Sequence, residues 1–292
     1  MGDRILNIYN ALSDEEKNND KDYDRLLAIL MSFLDGEADE DAEYDFIGDV
    51  ALERARIAFE KAVGGLGIDM DYALQLLEAV DDNTLTKLDK NRRDGLINAL
   101  SNIIEFAVCE EYQAYEEMRE AYPDIAKKKI TDSRVIAILT AIYSRYNHSY
   151  RLVEDNDVHY TMSVFDKWIR IDDDTYITYW TQGDARVRPW HRDLEGFTER
   201  KSRFPEWMIP PIEFNCRCYL EESEVIAKVS DIKMVSAKIP AKPSELNDVY
   251  SESICKGGRI FSKSHPYFDV AEKDVSRLSE IVEHIKKSYN AK

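Results

Sequence analysis

No run of about 18 apolar residues occurs in this sequence, so no membrane-crossing helix is expected. The opening "MGDRILNIYNALSDEEKNND" has no apolar stretch and soon turns acidic, which does not fit a secretory signal. Leu6 stands where a myristoylation signal wants Ser or Thr, so lipidation is not expected either. Cysteine is scarce. Cys109, Cys216, Cys218 and Cys255 do not suggest a disulfide framework, and in a reducing compartment they are thiols or metal ligands. Basic residues are also short, 39 against 57 acidic ones, for a formal net charge of −18. Phosphate contacts need Lys and Arg, so nucleic-acid binding is not expected as the main role. An acidic surface suits solubility and a basic protein partner.

What is present is enough for a core: 44% of the 292 residues are hydrophobic, and aromatics are plentiful. The first half has helical periodicity. "YDRLLAILMSFL" carries Leu26, Leu27, Ile29, Leu30 and Leu34 before Asp35-Gly36. A second helix ends at Gly64-Gly65, Asp69 caps a third, a long one is expected from about Thr84 to Ala121, and Thr131-Asp132-Ser133 can cap another. Near Val158 the texture shifts to β-branched and aromatic residues. "HYTMSVFDKWIRI" and "TYITYW", separated by Asp172 to Asp174, predict a β-hairpin. Those aspartates lack the glycine and distal glutamate of a calcium loop and are expected to form a solvated turn. One or two further strands are expected after residue 218, and an amphipathic helix closes the sequence.

The densest chemistry lies in "YWTQGDARVRPWHRDLEG", residues 179 to 196. His191-Arg192-Asp193-Leu194 spells the opening of a kinase catalytic loop. Thr198 stands where that loop needs Asn, and its partner motifs are missing, so this reading fails. A second reading joins His191 to Cys216 and Cys218 as donors for zinc, with Glu213, Cys255 or water as a fourth ligand. Alternatively, the two cysteines are small buried hydrophobes beside a hydrogen-bonded histidine. A third reading is a polar staple. Asp184 can accept from backbone amides or from Arg186, Gly183 and Gly196 allow backbone conformations closed to other residues, and Pro210-Pro211 fixes the approach to the cysteines.

The pattern Trp180, Thr181, Asp184, Arg186-Val187-Arg188, His191, Leu194, Gly196, then Pro210-Pro211 and Asn215-Cys216-Arg217-Cys218 resembles the phage Mu F-like minor head proteins, also called the phage head morphogenesis domain. Order, spacing and residue type agree over about forty residues. The stretch "GGRIFSKSHPYF" is similar to the segment C-terminal to this domain in minor head proteins of phages of Bacteroidetes hosts. In some relatives cysteine stands at the positions of both Arg188 and His191, and histidine at that of Glu213. Here the donors that remain are His191, Cys216 and Cys218, with zinc as the metal implied.

The resemblance implies a virion structural protein, not an enzyme. It would be assembled in the host bacterial cytoplasm and placed in the capsid interior or at the portal vertex, against portal, scaffold or major capsid protein. The expected fold class is α+β. A mostly helical region over 1–155 would face the partner, a small α+β Mu F-like domain would span 156–230, and an extension over 231–292 would end in a helix. The rival is a metal-dependent hydrolase or nuclease-like phage effector that uses His191 with Asp184 and Arg186.

Overall fold

The structure is a computed structural model and describes residues 20–36, 41–79, 82–127, 129–223, 240–244, 246 and 248–290. Its helices are α1 (Lys21–Asp35), α2 (Ala42–Gly65), α3 (Met70–Glu78), α4 (Lys87–Ala121), α5 (Ser133–Ser144), α6 (Arg151–Arg170), the short α7 (Pro189–Arg192) and α8 (Val275–Asn290). A π-helical turn, Arg145–Tyr150, runs directly into α6. Strands β1 (Tyr176–Trp180), β2 (Thr198–Arg200) and β3 (Tyr219–Glu222) form one antiparallel sheet in the order β2-β1-β3. The fold is therefore α+β and mostly helical, with a small sheet and a C-terminal helix, as the sequence led one to expect.

Several helix boundaries follow from side-chain capping. Asp69 Oδ1 accepts from the Tyr72 amide at 2.7 Å, and Asp132 Oδ1 accepts from Arg134 at 2.8 Å. The long helix starts at Lys87 rather than near Thr84, because Thr86 Oγ1 takes the Asp89 amide at 3.2 Å.

The expected hairpin is corrected. Residues 158–170 are helical, the end of α6, and only "YITYW" is a strand. Val158, Met162, Phe165 and Trp168 repeat at near four-residue and three-residue steps and are all buried, so one helix face outweighs the β propensity of the individual residues. Gly95 on α4 reflects close packing of α6: a Cβ there would lie 2.3 Å from the Phe165 ring. The partners of β1 come from later in the chain. Thr178 pairs with Thr198 of β2 on one side and Glu221 of β3 on the other. Asp172 to Asp174 form an exposed turn, closed by the Thr175 amide to Asp172 O at 3.0 Å. Apart from β3, the stretch expected to carry further strands falls on 224–239, outside the described residues.

The chain divides into two compact units, with boundaries that fall inside α2, α4 and α6. One comprises the described residues through Lys61, Leu100–Asn156 and His265 onward. Its apolar core includes Leu26, Leu30, Val50 and Ile104, and Tyr143 donates to the Leu26 carbonyl at 2.8 Å. The same unit buries a polar cluster that the sequence did not announce. Arg54 of α2 lies 2.6 Å from Glu110 and 3.7 Å from Glu111 of α4, and 3.2 Å from Glu154 and 3.5 Å from Asp155 of α6. Burial, then Glu110, pushes Glu111 up to about 8, and burial holds Glu154 well above the ordinary carboxylate range. The other unit comprises Ala62–Ala99 and Asp157–Ser264, and carries the sheet and the whole of the 179–218 segment.

Candidate metal centre

The segment is anchored by β1. Tyr179 is fully buried in the strand, its amide donates to Phe197 O, and its carbonyl accepts from Gly196, both at 2.9 Å. Gly183 and Gly196 take positive φ angles of 68° and 81°, as expected of turn glycines. Trp180 ends the strand half-buried, and Thr181 donates to Glu195 at 2.5 Å while accepting the Gly183 amide. The Val187 amide closes a turn on Asp184 O, and α7 begins at Pro189. This short helix and the turn after it place His191 inward and Leu194 in the apolar core.

The second half of the pattern arrives through Pro210-Pro211, joined by a cis peptide, and a tight turn in which the Cys216 amide donates to Glu213 O at 3.0 Å. Asn215 sits at φ 52°, the left-handed region that asparagine tolerates better than most residues. Cys216 and Cys218 are each 3% exposed, and Arg217 between them points to the surface side.

These elements bring together His191, Cys216 and Cys218. One ligand atom from each lies within 4.8 Å of the others. His191 Nδ1 is 3.3 Å from Cys218 Sγ and 3.9 Å from Cys216 Sγ. Two ligands of one tetrahedral zinc stand about 3.5–3.8 Å apart, given zinc–nitrogen and zinc–sulfur bonds of about 2.1 and 2.3 Å. The donor set therefore fits a metal ion.

The electrostatics agree. Cys216 hydrogen-bonds Cys218 and, with His191 and Tyr179, draws the Cys218 thiol down to about 5 against the opposing effect of burial. Burial, then the neighbouring Cys218, raises Cys216 well above its ordinary value. These opposite shifts favour one thiolate in the pair, the form in which sulfur binds metal, and a cation would draw off the second proton.

Two expectations about the fourth ligand are corrected. Glu213 does not join the three donors: its Oε2 lies 3.3 Å from His191 Nε2, on the ring nitrogen that faces away from the thiols, and 2.6 Å from Arg188 Nε. Cys255 packs in the same unit beside Ser253, Lys201 and Lys256, and is likewise not among the grouped donors. Of the ligands considered from sequence, water remains for the fourth position.

The polar groups of the segment form an inner and an outer set. The inner one is the buried Glu213 and His191 with the partly buried Arg188, whose Nη2 also donates to Phe214 O at 2.9 Å. The outer one is centred on Asp184, which accepts from the Arg186 amide at 3.0 Å and from the Arg217 guanidinium at 2.8 Å. The guanidinium that Asp184 meets is thus that of Arg217, while Arg186 is exposed. Arg217, first, and the Arg186 amide hold the Asp184 carboxyl below its ordinary range. Asp184 and His191 have separate partners, and no hydrogen bond or ion pair joins them among the described contacts.

Sequence reading missed Tyr179, because the burial of three successive β1 residues breaks the alternation that would mark an inward face. It also missed Asp157 and Tyr160, three apart on α6, because Tyr160 falls in the stretch expected to be a strand and Asp157 just before it, so the helix face that joins them is hidden. Compared with family models, with curated proteins and with solved structures, the chain finds no match.

Proposed function

We propose that this chain is a minor head protein of a tailed bacteriophage, of the Mu F-like kind, acting in head assembly at or near the portal. In this reading residues 180 to 218 are a fold-defining staple closed by one zinc ion on His191, Cys216 and Cys218. The observation that carries it is the convergence of the pattern's separated halves: Asp184 on Arg217, and His191 on Cys218. A pattern shared for the sake of a fold should pair its own members in this way. Zinc would supply the cross-link that a loop-rich segment with a small sheet needs, since its binding free energy becomes folding free energy. The net charge of −18 favours a protein partner with a basic surface, here portal, scaffold or major capsid protein. A role in DNA packaging or ejection would follow from that location.

The test is co-expression, in a bacterial host, of the full chain with the portal and major capsid proteins of its own genome. Incorporation into sedimenting head particles is expected. Particles that assemble without it would overturn the reading. Metal-dependent nucleic-acid cleavage abolished by His191→Ala would favour the effector alternative.

A further inference from the structure

The turn that delivers the two cysteines is held from outside the segment. Both carboxylate oxygens of Asp157 accept the Asn215 amide, at 2.8 and 3.1 Å. One helical turn later, the Tyr160 hydroxyl donates to the carbonyl of Cys218. Asp157 is itself fixed by the Tyr250 hydroxyl, which donates to Oδ2 at 2.9 Å, and Tyr250 packs edge-on against Phe214 of the same turn. One face of α6 therefore grips the turn on both sides of Cys216.

We propose that Asp157 and Tyr160 are positioning residues for the metal centre, setting the spacing of Cys216 and Cys218 before metal arrives. Neither lies among the donors, so both act through the backbone. The physical need is clear at Asn215. Its left-handed conformation is sparsely populated, and only a strong acceptor on its amide makes one turn geometry prevail over others. At Cys218, a fixed carbonyl orients the residue whose sulfur faces His191. A preformed pair of ligands loses less conformational freedom on binding, and outer partners of metal ligands typically change affinity by about 10–100-fold.

This inference rests on the zinc reading, and the experiment separates the two. Zinc affinity of the full chain is measured by competition with a chromophoric chelator, and cobalt(II) substitution reports ligand geometry by absorption. Apo-protein thermal midpoints are recorded in parallel. Tyr160→Phe, which loses one hydroxyl, and Asp157→Ala are expected to bind zinc about 10–100-fold more weakly and to shift the cobalt bands. Asp157→Asn, which keeps an acceptor oxygen for the Asn215 amide, is expected to recover most of the affinity. If the parent binds zinc and the folded variants match it in affinity and cobalt spectrum, the positioning role is wrong and the zinc reading stands. If the parent binds no metal, both fall. Should Asp157→Ala fail to fold, Tyr160→Phe decides alone.

Discussion

Glu213 Oε2 lies 3.3 Å from one ring nitrogen of His191, and the other ring nitrogen lies 3.3 Å from Cys218 Sγ. The carboxylate thus faces Nε2 and the two sulfurs face Nδ1, so Glu213 and the thiols lie on opposite edges of the ring. Arg188 Nε, 2.6 Å away, sets a positive charge against the fully buried Glu213.

Removing that carboxylate should cost more than a surface ion pair. Glu213→Ala leaves Arg188 without its carboxylate, with only the Phe214 carbonyl to meet among the described contacts, and removes the group beside His191 Nε2, so a loss on the order of 2–4 kcal/mol is expected, along with weaker metal binding. Urea denaturation with and without added zinc measures both. Parent-like stability would mean that the carboxylate does not organise the histidine.

Asp184 should behave differently, although it belongs to the same pattern. Its carboxylate is 42% exposed and meets Arg217 in solvent, where such pairs are weak. Asp184→Ala should move the denaturation midpoint much less than Glu213→Ala. An equal or larger shift would place the staple at the surface and contradict the division drawn between its inner and outer parts.

The contrast between Asp184 and Glu213 shows what could be read from sequence. Residue type, together with the place of all three in one family-like pattern, was enough to group His191 with Cys216 and Cys218, since few side chains share that chemistry. They could not tell a ligand from a neighbour of a ligand, because that depends on which ring nitrogen a carboxylate approaches. The helices of the first half were legible from their apolar period and caps. The end of α6 was not, because His159, Tyr160, Val164 and Trp168 do not favour helix individually, and the helix is decided by what Phe165 and its neighbours pack against. The Arg54 cluster was hidden for a related reason: "CEEY" and "VEDND" look like solvated faces unless the opposing helix is known.

That cluster carries a pH dependence with a definite sign. Burial, and then Glu110, raises Glu111 to about 8, while Arg54 and a hydrogen bond from Asn147 work in the opposite direction. The native state therefore keeps a proton that the unfolded chain gives up near 4.5. The stabilisation is complete below that value and is lost as pH rises through about 8. Between about pH 5 and 9, the parent should lose on the order of 2–4 kcal/mol relative to Glu111→Gln, which cannot ionise. Paired urea titrations across the range give the difference directly. A difference that does not change with pH would show that Glu111 is ionised throughout.

The most direct test of the central claim, that His191, Cys216 and Cys218 staple the segment through zinc, is elemental analysis of the purified chain combined with thermal melting. About one zinc per chain is expected, with a melting temperature that falls on chelation and returns when zinc is restored. The variant Cys216→Ser with Cys218→Ser should hold no zinc and ignore the chelator. Metal-free protein whose melting temperature responds neither to chelator nor to added zinc would contradict the claim and leave the two cysteines as buried hydrophobes beside a histidine.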